Sequence, residues 1–291
     1  AARGYHEAVC YSFVSRDLLQ RWSALDGAVA LANPLSADLA VMRTALLPGL
    51  VEALRHNRNR QQERVRLFEV ARVFAASDAA PHEAVRVAAV ACGRAQAESW
   101  GSGDKRPVDF HDLKGDLESL LALRGHRADV AFRPLQRPDF HPGRSADILL
   151  GGRSVGVIGG LHPRLLRALD LDEDVVAFEL DLAALAAGRV PQAAELSRFP
   201  AVRRDIAVIV PDDVAWSAVE ACVRAAVGAR LAEVLVFDCY QGESLGSGVK
   251  SLAIGLILQD SSRTLTDQDA DTHVSAALTA LERECQARLR G

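Results

Sequence analysis

Two spacings organise the hydrophobic positions along the chain. Alternation with period two, or a short unbroken apolar run, predicts strands at about residues 5–13, 28–31, 64–74, 84–92, 130–134, 146–150, 154–158 and 175–181. The three-to-four spacing of a helix appears three times between them. One helix starts near Pro48, a favoured first-turn residue, with Leu50, Val51 and Leu54 on one face. A second follows Asp109 with Leu113, Leu117, Leu120 and Leu121, and a third follows His162-Pro163 with Leu165, Leu166 and Leu169. Gly151-Gly152, between two alternating segments, is a hairpin signal. Many strands joined by hairpins, with a few helices, predict an antiparallel sheet with helices on one side, an α+β domain.

Residues 189–200 carry two prolines and lose the periodicity, which places a junction near 190–195 and predicts two domains, 1–192 and 193–291. Beyond it the pattern tightens. Residues 203–210 alternate through Ile206, Val208 and Val210, and residues 216–227 are amphipathic through Trp216, Val219, Val223 and Val227. Strands at 234–241 and 250–259 flank a Gly-rich turn at 242–248. Thr266, with Asp269 three residues on, starts a helix in which each end satisfies an orphan amide of the other; its apolar face is Val274, Ala277, Leu278 and Leu281. A short strand at 287–290 completes β-α-β-β-α-β, the ferredoxin-like split unit.

The 291 residues suffice for two domains with separate cores, and 49% hydrophobic with 25% charged residues is ordinary globular composition. Apolar runs such as 88–92 and 206–210 fall far short of the ~20 residues of a membrane helix, so no membrane role is expected. Five cysteines without C-x-x-C spacing indicate neither a disulfide scaffold nor a zinc knuckle, and a cytoplasmic setting is expected. The opening Ala1-Ala2-Arg3 reads as the start of a fragment. Residues 195–291 hold 10 Lys+Arg against 14 Asp+Glu, net −4, while the first 194 hold 24 of each. A nucleic-acid role would therefore rest on local geometry, not on bulk counterion release.

The eight histidines show no H-E-x-x-H spacing, so no metal site is expected, and no G-x-S-x-G motif marks a nucleophile. The glycines of 151–160 flank strand segments and do not join a strand to a helix N-terminus, which makes them a hairpin and not a phosphate loop. The basic run 55–60 reads as cations at a helix C-terminus, with a phosphate contact as the alternative. In the second domain, pleat parity sends Leu235, Phe237 and Cys239 toward the helices, and Val234, Val236, Asp238 and Tyr240 to the opposite, open face. Ser251, Ala253, Gly255 and Ile257 share that face, and Arg203 and Asp205 point outward from the first strand. A ring, a carboxylate and a hydroxyl on an open sheet can stack one unpaired base and read its edge; a carboxylate accepts from the two adjacent donors of guanine. The competing reading is an ordinary polar strand end.

More specific motifs run through the whole chain. They are Asn33-Pro34-Leu35-Ser36, Met42-Arg43-Thr44, Leu46-Leu47-Pro48-Gly49-Leu50, Leu67-Phe68-Glu69-Val70, Asp109-Phe110-His111-Asp112-Leu113-Lys114-Gly115, His141-Pro142-Gly143-Arg144 and Gly156-Val157-Ile158-Gly159-Gly160-Leu161-His162-Pro163. Together they resemble the catalytic-like module of bacterial phenylalanyl-tRNA synthetase beta subunits. Phe199-Pro200-Ala201-Val202-Arg203-Arg204-Asp205, Phe237-Asp238-Cys239-Tyr240-Gln241-Gly242, Lys250-Ser251-Leu252-Ala253 and Arg263-Thr264-Leu265-Thr266-Asp267 resemble that subunit's ferredoxin-like anticodon-binding domain. The resemblance implies a class II synthetase-like, inactive module over 1–192, consistent with the missing F-R-x-E arginine around Phe68-Glu69 and the missing G-x-G-R in 156–163. It implies no catalytic residue here, with ATP and magnesium serving aminoacylation in an alpha subunit. The implied partners are that subunit, in an (αβ)2 heterotetramer, and the phenylalanine tRNA, with no DNA. Carried over by motif, the anticodon contacts fall on Asp238, Tyr240, Ser251, Ala201 and Arg203. A free-standing ligase with its own ATP site, or a ferredoxin-like small-molecule sensor on a degenerate synthetase domain, are the competing functions.

Overall fold

A computed structural model describes residues 2–78, 80–101, 105–123, 125, 129–186, 188, 197–242 and 245–290. The chain divides into two compact units, Ala1–Gln192 and Ala193–Gly291. The junction expected near 190–195 lies outside the described residues.

The first unit runs β1 (His6–Glu7), β2 (Phe13–Val14), α1 (Arg16–Arg21), β3 (Val41–Met42), α2 (Leu47–Arg58), β4 (Val65–Ala75), β5 (His82–Cys92), α3 (Phe110–Ala122), β6 (Val130–Pro134), β7 (Phe140–Leu150), β8 (Arg153–Leu161), α4 (Pro163–Ala168), β9 (Val175–Asp181) and α5 (Leu182–Ala186). Seven strands form one sheet in the order β1-β4-β5-β9-β8-β7-β6, antiparallel except where β1 meets β4. Gly151 and Gly152, both at positive φ, make the two-residue turn between β7 and β8. The strand expected over 5–13 is broken into β1 and β2, and that at 28–31 shrinks to a single bridge between Ala30 and Val41. Helix α1 was not expected. Its six residues are too few to show a period, and its start is set by Ser15, whose hydroxyl accepts from the Leu18 amide.

The helices lie on both faces of this sheet, which corrects the one-sided arrangement expected from sequence. Leu50, Val51 and Leu54 of α2 pack with Leu165 and Leu166 of α4 against Ala88, Val90, Cys92, Val175 and Ala177. On the opposite face Leu113, Leu117 and Leu121 of α3 pack with Ala184 and Leu185 of α5 against Val87, Ala89, Ala91, Val176 and Phe178. The reason is visible in the strands: residues 87–92 and 175–180 are buried without interruption. A strand buried on both faces reads as a continuous apolar run.

The second unit runs β10 (Val202–Pro211), α6 (Trp216–Val227), β11 (Leu231–Tyr240), β12 (Val249–Leu258), α7 (Asp267–Cys285) and β13 (Arg288–Leu289). Its antiparallel sheet has the order β11-β12-β10-β13, the ferredoxin-like arrangement. The cap of α7 is reciprocal: Thr266 Oγ1 accepts from the Asp269 amide and Asp269 accepts from the Thr266 amide. Helices α6 and α7 bury Val219, Val223, Val227, Ala277 and Leu281 against Ile206, Val208, Val210, Leu252, Ile254, Leu256 and Leu258. No described helix of this unit covers the opposite face.

Candidate nucleic-acid interface

Strand register assembles that uncovered face into two rows, because residues paired across antiparallel strands point to the same side. One row crosses the sheet as Tyr240, Ser251, Ile209 and Arg288. The next crosses as Asp238, Ala253 and Ala207, and the amide of Arg290 donates to the Ala207 carbonyl at 2.8 Å. Three strand spacings of about 4.8 Å separate the outer strands, giving a trough about 14 Å wide. Its floor holds small or half-buried residues, with the ring and carboxylate on one side and two arginines on the other.

Tyr240 is 40% exposed, and the Arg290 guanidinium carbon lies 5.4 Å from its ring centroid. The same guanidinium donates to Ser251 Oγ at 3.3 Å. Ser251 therefore sits on the expected face but beneath Arg290, and is only 3% exposed. Among the described residues the Asp238 carboxylate makes no hydrogen bond or ion pair, which leaves both oxygens able to accept from a ligand.

Parity fails in the first half of β11. Val234 pairs with Leu256 and is in the core, and Val236 pairs with Ile254 on the helix side, whereas Leu235 faces the other way opposite Gly255. An irregularity between Val236 and Asp238 inserts Phe237 as an extra residue, after which Asp238 and Tyr240 occupy the open face and Cys239 the helix side. Phe237, expected in the core, is 50% exposed and lies against Arg203, whose guanidinium carbon is 5.3 Å from the ring centroid.

Two of the expected site residues lie away from this cluster. Val202 pairs with Leu258 and Tyr240 with Ser251, so Ala201, one residue before Val202, sits eight residues along β12 from the tyrosine, roughly 27 Å at strand spacing. The alanines that flank Asp238 are Ala253 and Ala207. Arg203 belongs to the row of Ile257 and Glu233, where its Nε donates to Asp205 Oδ1 at 2.8 Å, and it approaches Asp238 only through Phe237. Arg288 and Arg290 were missed in sequence, although the Arg-Leu-Arg alternation places both on one face.

Residues 1–182 match the family described as Phenylalanyl tRNA synthetase beta chain CLM domain. The chain belongs to the phenylalanyl-tRNA synthetase beta chain family. Residues 197–290 match a second family, the Ferredoxin-fold anticodon binding domain, and contain the whole trough. The phenylalanine–tRNA ligase beta subunits of Xanthomonas euvesicatoria pv. vesicatoria and Xanthomonas oryzae pv. oryzae are 55% and 54% identical to it over 292 residues, and that of Xylella fastidiosa is 50% identical. Each alignment covers 99% of this chain and 36% of the relative, so the chain spans about a third of the length of these beta subunits.

The beta-chain module of the first unit has a cleft of about 450 Å³ between α2 and strands β8 and β9. Its charged lining pairs internally. Arg133 binds Asp147 at 2.7 Å, Arg137 binds Asp139 at 2.6 Å, and Arg86 binds Glu179 at 2.9 Å. Glu179 Oε2 also accepts from the amides of Leu46 and Leu47 at 2.9 and 3.1 Å, so a carboxylate of the protein occupies the α2 N-terminus. In the basic run, Arg55 pairs with Glu52 and Arg58 with Glu173, as for a helix end. Among the described residues no group of three or more His, Cys, Asp or Glu could hold a metal ion, and no helix is long and apolar enough to cross a membrane.

Proposed function

We propose that the chain is the anticodon-reading and non-catalytic part of a phenylalanine–tRNA ligase beta subunit. The single observation that carries the reading is the pair Asp238 and Tyr240, two residues apart on one open strand face, within a domain matched by an anticodon-binding family. The ring stacks on one unpaired base, and the carboxylate, with both oxygens available, accepts from the N1–H and exocyclic amine of guanine.

On this reading the first unit is a degenerate class II synthetase-like scaffold. The cleft arginines that would grip a triphosphate are each tied to a carboxylate, and Glu179 fills the helix N-terminus where a phosphate would sit. These residues do not fit ATP. ATP and magnesium then serve an alpha subunit, which joins this chain in an (αβ)2 assembly acting on the phenylalanine tRNA in the cytoplasm.

The test uses the reconstituted full-length heterotetramer and a phenylalanine tRNA carrying G or A at its first anticodon position. Tyr240→Ala lowers affinity for both tRNAs, by about 1–3 kcal/mol for one lost stack. Asp238→Asn lowers the G-over-A ratio in charging, since an amide offers one acceptor oxygen where a carboxylate offers two. An unchanged ratio for Asp238→Asn makes the strand end structural and overturns the reading.

A further inference from the structure

The second unit has an excess of carboxylates, yet three of its nine arginines, Arg198, Arg288 and Arg290, form no ion pair with a described residue, and the last two lie two residues apart at the C-terminal strand. Arg203, Arg204, Arg224, Arg230, Arg263 and Arg283 each form an ion pair. Arg288 and Arg290 form no ion pair with any described residue. In a unit with 14 acidic and 10 basic residues, two neighbouring cations without a carboxylate make a local positive edge.

Their position is specific. The exposed β13 pairs with β10 through Leu289 and Arg288, which directs Arg288 and Arg290 onto the same face as Tyr240 and Asp238. Arg290 reaches across the trough to Tyr240 and spends one donor on Ser251 Oγ. A guanidinium carries five N–H donors in a fixed fork, so its remaining donors are available to a planar or tetrahedral anion. The trough floor of Ala207, Ala253 and Ile209 is uncharged, and the Arg290 guanidinium extends over it to within 5.4 Å of the Tyr240 ring centroid, so a nucleotide whose base meets the ring has its phosphate within reach of Arg290.

We propose that Arg288 and Arg290 bind the backbone phosphates of the same single-stranded ribonucleotide segment whose base lies on Tyr240. This rests on the anticodon reading above and adds the second half of the contact: β11 reads the base, and the C-terminal strand holds the phosphate. The division follows a general rule, since phosphate contacts position a nucleic acid while base-edge contacts specify it. The site thus takes a ribonucleotide strand through an edge donated by β13, despite the acidic balance of the unit.

The experiment titrates this 291-residue chain against an RNA stem-loop with the phenylalanine anticodon loop, over 0.05–0.5 M salt. Arg288→Gln and Arg290→Gln are each expected to reduce the slope of log affinity against log salt by about 0.7, the single-strand value for one phosphate contact. At 0.1 M salt each weakens binding about fivefold and leaves the preference for G over A at the first anticodon position unchanged. Arg290→Lys restores the slope. A stem-loop with an uncharged methylphosphonate next to the first anticodon nucleotide binds wild type more weakly and the Arg290→Gln chain no further, a result independent of protein folding. Wild-type slopes in both glutamine variants, or a methylphosphonate penalty that survives Arg290→Gln, overturn the proposal while leaving the base reading intact. If wild type does not distinguish the stem-loop from one of scrambled loop sequence, the anticodon reading falls, and the phosphate contact with it.

Discussion

Gly242 leaves the space that the Tyr240 ring occupies: a Cβ at Gly242 would lie 2.3 Å from the tyrosine hydroxyl oxygen and 2.6 Å from Cζ. The obstructed atoms are the far end of a side chain on a partly exposed strand, so the ring can swing away without disturbing the core.

Gly242→Ala should therefore behave as a displaced tyrosine in an intact fold. Stem-loop affinity falls toward the value of Tyr240→Ala, with a loss of up to about 1–3 kcal/mol. The melting temperature changes by less than the ~4 °C that 1 kcal/mol produces in a domain of this size. Titration and thermal unfolding of the same preparation check it; an unaltered affinity would show that the ring position is immaterial to binding.

Glu179 is a buried polar junction of the first unit. It is 4% exposed and accepts from two α2 amides and from Arg86. Glu179→Ala orphans both buried amides and removes the carboxylate from Arg86, and is expected to destabilise by about 3–5 kcal/mol. Glu179→Gln, which keeps an acceptor oxygen, should cost less. Urea unfolding followed in the first unit measures both, and equal costs would show that the helix contacts contribute little.

Acid sensitivity of the second unit should come from the loop that leads into α7. Asp260 accepts from the Ser262 hydroxyl at 2.6 Å, the Ser262 amide at 2.7 Å and Arg230 Nε at 3.0 Å, which hold its carboxyl down at about 2. Arg263, and after it the Thr266 amide, hold Asp269 well below the usual carboxylate range. A folded-state value below the unfolded one, about 3.9, stabilises the fold above pH ~4, and that stability is lost as the pH falls through about 2. Urea midpoints should be flat from pH 7 to 5 and decline below pH ~4, with Asp260→Asn removing part of the decline. A decline already complete at pH 5 contradicts the assignment.

The legible parts of the fold are those with long periods or strong caps. Asp109, Thr266 and the Gly151-Gly152 turn announce themselves, because a cap or a two-residue turn is written in adjacent residues. The two-sided sheet was also legible in principle, in the unbroken apolar run 87–92 of β5 and the run 175–178 of β9. Phase within β11 was not. Nothing local to Val236-Phe237-Asp238 marks an inserted residue, which is defined only by its pairing with β12. Asp238 and Tyr240 reach the expected face because they share one side of that insertion, while Leu235 and Phe237 do not follow. The burial of Ser251 depends on an arginine 39 residues away and could not be read from its own strand.

The inserted Phe237 also separates what can change in β11 from what cannot. Upstream of it, Leu231 and Val234 answer to the packing of two helices; downstream, Asp238 and Tyr240 face the trough. Hydrophobic drift in the upstream half can thus be absorbed by repacking without re-aiming the downstream pair. A single-codon deletion at Phe237 is absorbed as well: with Val236 still opposite Ile254, Asp238 follows it directly opposite Ala253 and Tyr240 stays opposite Ser251, so the carboxylate and the ring keep the open face and the strand loses only the ring that lies against Arg203.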